Sequence, residues 1–342
     1  MSKRSRRRLG FGSPIAHASL VALAAWLGVT AARAAEQPIW ILDTRCVNGC
    51  GEPNEVVEQI QHERLDADCC RRATDAQDFR AAQEVTTPMV VFVHGNNTDA
   101  DQALTKGLYV YNTIRLQAGD KPFRFVIWSW PADRFFGILN RGSTRAKAEE
   151  CDTESYYLAA WLNRLAPGTR ICLAGHSFGP RIITGALHLL AGGPLACRAM
   201  PEATVAAWKG GKRNPVRTVL MAAALDADWL APDGRHGLAP SIADRMLITC
   251  NDRDRILRYY PRLWHRQSSE ALGLVGPCGV DCLEHVETID VSGEVGRFHD
   301  WRDYAFTPEV RCRWTEYAFL DEPSEEAAKE KASGGSRDGD AP

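Results

Sequence analysis

The sequence predicts an α/β protein on a doubly wound, mostly parallel sheet, with a single folded domain enlarged by loop inserts. Three observations predict it. Apolar, β-rich runs alternate with amphipathic stretches from residue 38 to 291. Several of these runs are continuously apolar, as a parallel sheet covered on both faces requires. One of them, "RICLAG" (170–175), runs straight into the helical stretch "FGPRIITGALHLLAG" (178–192) across Gly175-His176-Ser177-Phe178-Gly179.

The strands are expected at "PIWILDT" (38–44), "PMVVFVH" (88–94), "FRFVIWSW" (123–130), "RICLAG" (170–175), "VRTVLMAAA" (216–224), "RMLITC" (245–250) and "HVETIDV" (285–291). Between them lie "DADQALTKGLYVYNTIRLQ" (99–117), "TESYYLAAWLNRLA" (153–166) and residues 178–192. Each spaces its apolar residues by three and four, which puts them on one helical face. Irregular inserts are expected at about 45–85, 131–150, 193–215 and 258–284. Such loops sit at sheet rims and shape pockets.

The ends differ from this body. "MSKRSRRRLG" has five basic residues and no acid, "SLVALAAWLGVTAA" (19–32) is apolar, and Ala32-Arg33-Ala34 fits an A-x-A cleavage site. The apolar stretch is shorter than the ~20 residues a membrane span takes, so residues 1–34 are expected to be a removed signal peptide and no stable anchor. Ser5-Arg6-Arg7-Arg8-Leu9 is compatible with a twin-arginine export motif and equally with a generic basic leader. The folded domain is then 35–321, in the periplasm or secreted, and 322–342 is expected to be a disordered tail without aromatic or branched apolar residues.

Of 41 Lys and Arg, six lie in residues 1–34, leaving 35 basic against 43 acidic groups and a formal charge of −8. With no basic stripe, nucleic-acid binding is not expected. Eleven cysteines suit an exported protein. Cys46 and Cys50, the adjacent Cys69 and Cys70, and Cys278 and Cys282 lie outside the expected strands, where disulfides would tie loops down. Cys172 and Cys250 fall within strands and are expected to be buried thiols. No histidine pair joins the cysteines at zinc-binding spacing.

The G-x-S-x-G pattern by itself proves little, since a chain of this length yields about 0.1 chance matches. Its flanks carry the inference. A strand entering and a helix leaving make the sharp turn that lifts a serine above a sheet edge, and the helix start behind it favours developing negative charge. Ser177 is therefore the candidate nucleophile. Upstream, "VVFVHGNNT" (90–98) is a buried-type strand ending in His94-Gly95-Asn96-Asn97. The pattern resembles that of α/β-hydrolases, in which the loop after such a strand and the residue after the nucleophile supply backbone N–H groups to an oxyanion hole, and the resemblance implies Asn96 and Phe178 as those donors. His94 is expected to be a structural hydrogen-bonder. Trp128 and Trp130 alternate on a strand, so at least one belongs to the core, with the other a candidate to line the pocket.

These segments resemble the α/β-hydrolase superfamily, and in particular a bacterial serine-hydrolase branch with a strand-H-G-[FYN]-N loop. The matching stretches are "IWILDTR", "VFVHGNNT", "VIWSWPAD", "GHSFG", "ALDADW", "ITCNDRDRIL" and "RFHDWRDY", in the branch's order, over about residues 38–304. The resemblance implies an acid and then a histidine after the serine. The acid lies either after "VRTVLMAAA", at Asp226 or Asp228, or after "RMLITC", at Asp252 or Asp254. The branch's S-x-x-D-x-A-L pattern falls on "NDRDRIL" and selects Asp254, with Asn251 in place of the serine and Ile256 in place of the alanine. Among His265, His285 and His299, the resemblance selects His299, on the loop after the last strand.

The expected activity is an exported serine esterase acting on a small or lipid-like acyl substrate through Ser177, His299 and Asp254, with no metal or organic cofactor. A peptidase or thioesterase would use the same triad. An idle α/β-hydrolase fold used for binding is the alternative from another class, and the ordered presence of all three candidates argues against it.

Overall fold

The computed structural model describes residues 37–321 apart from 50, 67–69, 134–140, 212, 264–268 and 281–282. The expected leader, the expected tail, Cys50, Cys69, Cys282 and His265 lie outside the described residues.

Nine strands form one sheet: β1 (Ile39–Asp43), β2 (Gln61–Leu65), β3 (Arg71–Thr74), β4 (Met89–Val93), β5 (Arg124–Ser129), β6 (Ile171–His176), β7 (Val216–Met221), β8 (Arg245–Cys250) and β9 (Val286–Asp290). Their order is β3-β2-β1-β5-β4-β6-β7-β8-β9. From β1 to β9 every pairing is parallel, while β2 and β3 add an antiparallel hairpin at one edge. All residues of β4, β5 and β6 are buried, as their continuous apolar runs require.

The chain steps from β4 to β5 in one direction, then crosses back over β4 to β6 and continues outward. That reversal makes a topological switch point between β4 and β6, and open α/β sheets bind ligands at the carboxyl ends of the strands there. Three long helices cover the faces. Ala100–Ala118 starts with a capping box in which Asp99 accepts from the Gln102 N–H at 2.8 Å and the Gln102 side chain accepts from the Asp99 N–H. Gly179–Leu190 is buried all round. Arg141–Leu162 packs against it and extends 12 residues upstream of the expected start at residue 153.

The other three inserts also hold regular structure, the short helix Leu272–Val275 lying within 258–284. The hairpin β2–β3 and the helices Pro53–Gln59 and Ala76–Ala81 occupy the stretch expected to be irregular at 45–85, and helix Glu202–Gly211 occupies part of 193–215. The hairpin is an edge whose strands carry Arg64, Arg71 and Arg72 paired with Asp66 and Glu63. Charged edges resist pairing with another chain, and they hide a strand from any apolar-pattern reading.

The loop disulfides expected through Cys46 and Cys278 are not formed: both are exposed free thiols. Cysteine count therefore misled where it was read as a stapling framework. Cys151 and Cys172 are buried, and burial pushes the Cys172 thiol up to about 12, so both pack as small apolar side chains.

Candidate active site

β6 ends at His176, and the helix Gly179–Leu190 begins three residues later. Ser177 lies between them at φ 59°, a left-handed conformation that costs an L-residue energy and is retained where surrounding contacts impose it. Those contacts are visible. The Ser177 N–H donates to the Met221 carbonyl at 3.0 Å, and the Ala224 N–H donates to the Ser177 carbonyl at 2.9 Å. A Cβ on Gly175 would come within 2.7 Å of the Pro180 nitrogen, so strand and helix meet this closely only through glycine.

His299, on the loop after β9, brings its Nε2 to 3.0 Å from Ser177 Oγ. Its Nδ1 lies 2.7 Å from Asp254 Oδ2. A carboxylate only accepts, so Nδ1 carries the proton and Nε2 is left to accept from the serine hydroxyl. Ser177, His299 and Asp254 thus form one continuous hydrogen-bonded line. Asp226 instead accepts from Tyr260 at 2.6 Å, and Asp252 is exposed beside Arg253.

Asp254 uses its two oxygens differently. Oδ1 caps the short helix Arg255–Tyr259, accepting from the Ile256 and Leu257 N–H groups at 2.8 and 3.0 Å. Oδ2 faces His299 and also accepts from the Tyr304 hydroxyl at 2.6 Å. The side chain is fully buried, and burial alone would raise its pKa. The bonds from His299, Tyr304 and Leu257 outweigh that and hold the carboxyl below its ordinary range.

The loop after β4 lies against the serine. A Cβ on Gly95 would stand 2.7 Å from Ser177 Cβ. Among the described residues, no acceptor is paired with the N–H of Asn96 or of Phe178. His94 braces this loop from below. Its Nδ1 donates to the Gly95 carbonyl at 2.9 Å, its Nε2 accepts from the Trp130 N–H at 3.3 Å, and its ring stacks on Trp130. Complete burial drops its pKa to about 3, so it stays neutral in this role. Trp128 and Trp130 are both fully buried, which removes the candidate pocket-lining role from each.

Three neighbours were not singled out from sequence. Tyr304, five residues after His299, is fully buried. Asn251 stood out only as a departure from serine, and it donates to the Tyr304 oxygen at 3.0 Å. His176 lies with its ring 5.0 Å from the His299 ring. Burial first, then the nearby His299 and Lys106, hold it neutral, well below the ordinary histidine range. Farther from the serine, Glu154 accepts from Thr44 Oγ1 at 3.0 Å and from Trp128 Nε1 at 3.1 Å. Burial pushes its carboxyl up to about 8 against these two bonds. Among the described residues, no three His, Cys, Asp or Glu side chains converge as a metal site.

A parallel sheet with a serine at the turn after β6 and a histidine beyond the last strand is the arrangement of an α/β hydrolase. The chain belongs to the family described as "Alpha/beta hydrolase of unknown function (DUF900)", whose model matches residues 72–263. No curated protein matches it. Solved structures that align with the chain include a Thermus thermophilus protein (11% identity, TM-score 0.38, 77% of this chain and 94% of that one). The catalytic core of acetyl xylan esterase from Trichoderma reesei aligns at 16% identity and TM-score 0.34, over 73% of this chain and 99% of that one. Esterase B from Lactobacillus rhamnosis aligns at 14% identity and TM-score 0.35, over 93% and 96%.

Proposed function

We propose that this α/β hydrolase is an exported serine esterase that works through an acyl-enzyme. The observation that carries the reading is the unbroken line from Ser177 Oγ to His299 to the buried Asp254 carboxylate. Membership of a hydrolase family supports it.

Ser177 Oγ attacks the ester carbonyl carbon while its proton passes to His299 Nε2. The tetrahedral oxyanion is held by the N–H groups of Asn96 and Phe178, and one such donor lowers the barrier by about 3 kcal/mol. As the carbon–oxygen bond to the alcohol breaks, His299 returns that proton to the departing oxygen. Water then attacks the acyl-serine and gives a proton to His299, the carboxylic acid leaves, and Ser177 regains its hydrogen. Asp254 stays ionised throughout and keeps the imidazole in the tautomer whose Nε2 is basic. The substrate is a small or lipid-like acyl ester.

The deciding experiment treats one sample of the purified protein with a fluorophosphonate probe and a separate, unlabelled sample with a series of short-chain esters. Wild type is labelled and Ser177→Ala is not. A wild type that takes no label ends the hydrolase reading, and equal labelling of both proteins ends the assignment of Ser177. Export is tested separately by cell fractionation and by the N-terminal sequence of the mature chain, expected to start at residue 35.

A further inference from the structure

The hydrogen-bond inventory around Asp254 fixes more than a triad. Asn251 Nδ2 donates to the Gly296 carbonyl at 2.9 Å, and Asn251 Oδ1 accepts from the Arg253 N–H at 3.0 Å. A carbonyl only accepts and a backbone N–H only donates, so the orientation of this buried amide is settled by chemistry. Its second N–H then points at the Tyr304 oxygen, 3.0 Å away. A phenol has one proton. With its oxygen receiving from Asn251, that proton is committed to Asp254 Oδ2 at 2.6 Å.

We propose that Tyr304 is a positioning residue for the reaction, its hydroxyl holding Asp254 Oδ2 opposite His299 Nδ1 while Asn251 aims the hydroxyl. This rests on the serine-hydrolase reading of the site. Asp254 is already fastened through Oδ1 by two backbone N–H groups, so the fold does not need Tyr304 to keep the carboxyl in place. What the phenol adds falls on the oxygen that faces the imidazole. Gly296 precedes His299 on its loop, Tyr304 follows in the helix Trp301–Phe306, and Asn251 and Asp254 share the turn after β8. The Asn251–Tyr304 link therefore registers the loop that carries the base against the turn that carries the acid.

The hydroxyl also takes up part of the carboxylate's charge. Without it, Asp254 bears more charge toward His299, and the imidazolium is favoured. The titratable groups beside His299 are Asp254 from the turn after β8, His176 from the end of β6, and Tyr304 from the helix Trp301–Phe306, while Asp300, next in the chain, pairs with Arg302. Lys106, on the helix Ala100–Ala118, acts on His176 and Asp300.

The test is Tyr304→Phe, which keeps the buried ring and removes only the hydroxyl. Two readouts are taken on the intact chain: the His299 titration by nitrogen-15 NMR, and the pH profile of fluorophosphonate labelling at Ser177. The His299 midpoint is expected to move up. Labelling on the high-pH plateau is expected to slow roughly tenfold, as for loss of one hydrogen bond to a charged group. An unmoved midpoint with a wild-type labelling rate overturns the proposal. Asn251→Ala, which leaves the phenol unaimed, should shift both readouts in the same direction by less, and it carries the test if Tyr304→Phe does not fold. A wild type without labelling defeats the hydrolase reading alone, because the NMR titration still decides what Tyr304 does to His299.

Discussion

The backbone of Gly179 lies so close to Val93 that a methyl group on Gly179 would overlap the Val93 carbonyl oxygen. That oxygen belongs to β4, in the middle of the sheet, and has no room to withdraw. Gly179→Ala should therefore lower stability by at least about 2 kcal/mol, measured by denaturant unfolding, and slow probe labelling by shifting the helix behind Ser177. Gly293, around which a Cβ would meet nothing, is the control. Gly293→Ala should leave both quantities within about 0.5 kcal/mol of wild type.

Ser177 holds its left-handed backbone at an energetic cost. Replacing it with glycine removes that cost, whereas replacing it with alanine keeps it. Both variants should lose labelling. Ser177→Gly should nevertheless be more stable than Ser177→Ala by about 1 kcal/mol in thermal unfolding. Equal stabilities would mean that the turn is unstrained.

Glu154 gives the fold a pH dependence of its own. Burial raises its folded pKa to about 8 from an ordinary 4.5. The folded state then binds a proton that the unfolded chain has released. The stability this contributes is fully present below about pH 4.5 and is lost as the pH rises toward 8, at about 1.4 kcal/mol per unit within that window. Glu154→Gln cannot ionise, so its melting temperature should gain on wild type steadily from pH 5 to pH 8. A constant difference between the two would show that Glu154 is not protonated in the folded state.

The thiols make a fourth test. Cys46, Cys197, Cys278 and Cys312 are exposed, while Cys151 and Cys172 are buried. A maleimide followed by peptide mass spectrometry should modify the first four in the native protein, and Cys151 and Cys172 only after unfolding. Blocked Cys46 and Cys278 that become reactive only after reduction would restore the disulfides expected for an exported chain.

Much of the sheet was legible because a strand buried on both faces must be apolar throughout, as "MVVFV" and "RFVIWS" are. The hairpin "QHERL" and "RRAT" escaped for the opposite reason: an edge strand exposes charges, and its pairing is decided by neighbours far along the chain. The first half of the helix Arg141–Leu162 is rich in polar and charged residues, which blurs the three-and-four spacing that marked its second half. At the candidate site, the flanks of Ser177 and the pattern and chain order of Asp254 and His299 anticipated three side chains that the fold brings together. Tyr304 and Asn251 could not be anticipated, because their bonds exist only once the turn after β8 and the helix Trp301–Phe306 have come together.

The two backbone hydrogen bonds that tie Ser177 to Met221 and Ala224 place its oxygen through the main chain rather than through the side chain's own contacts. The side-chain atom at 177 is therefore an interchangeable fitting in a fixed socket. A cysteine installed at 177 would inherit the same aim toward His299, and the scaffold could host thiol acyl transfer with its architecture left as it stands.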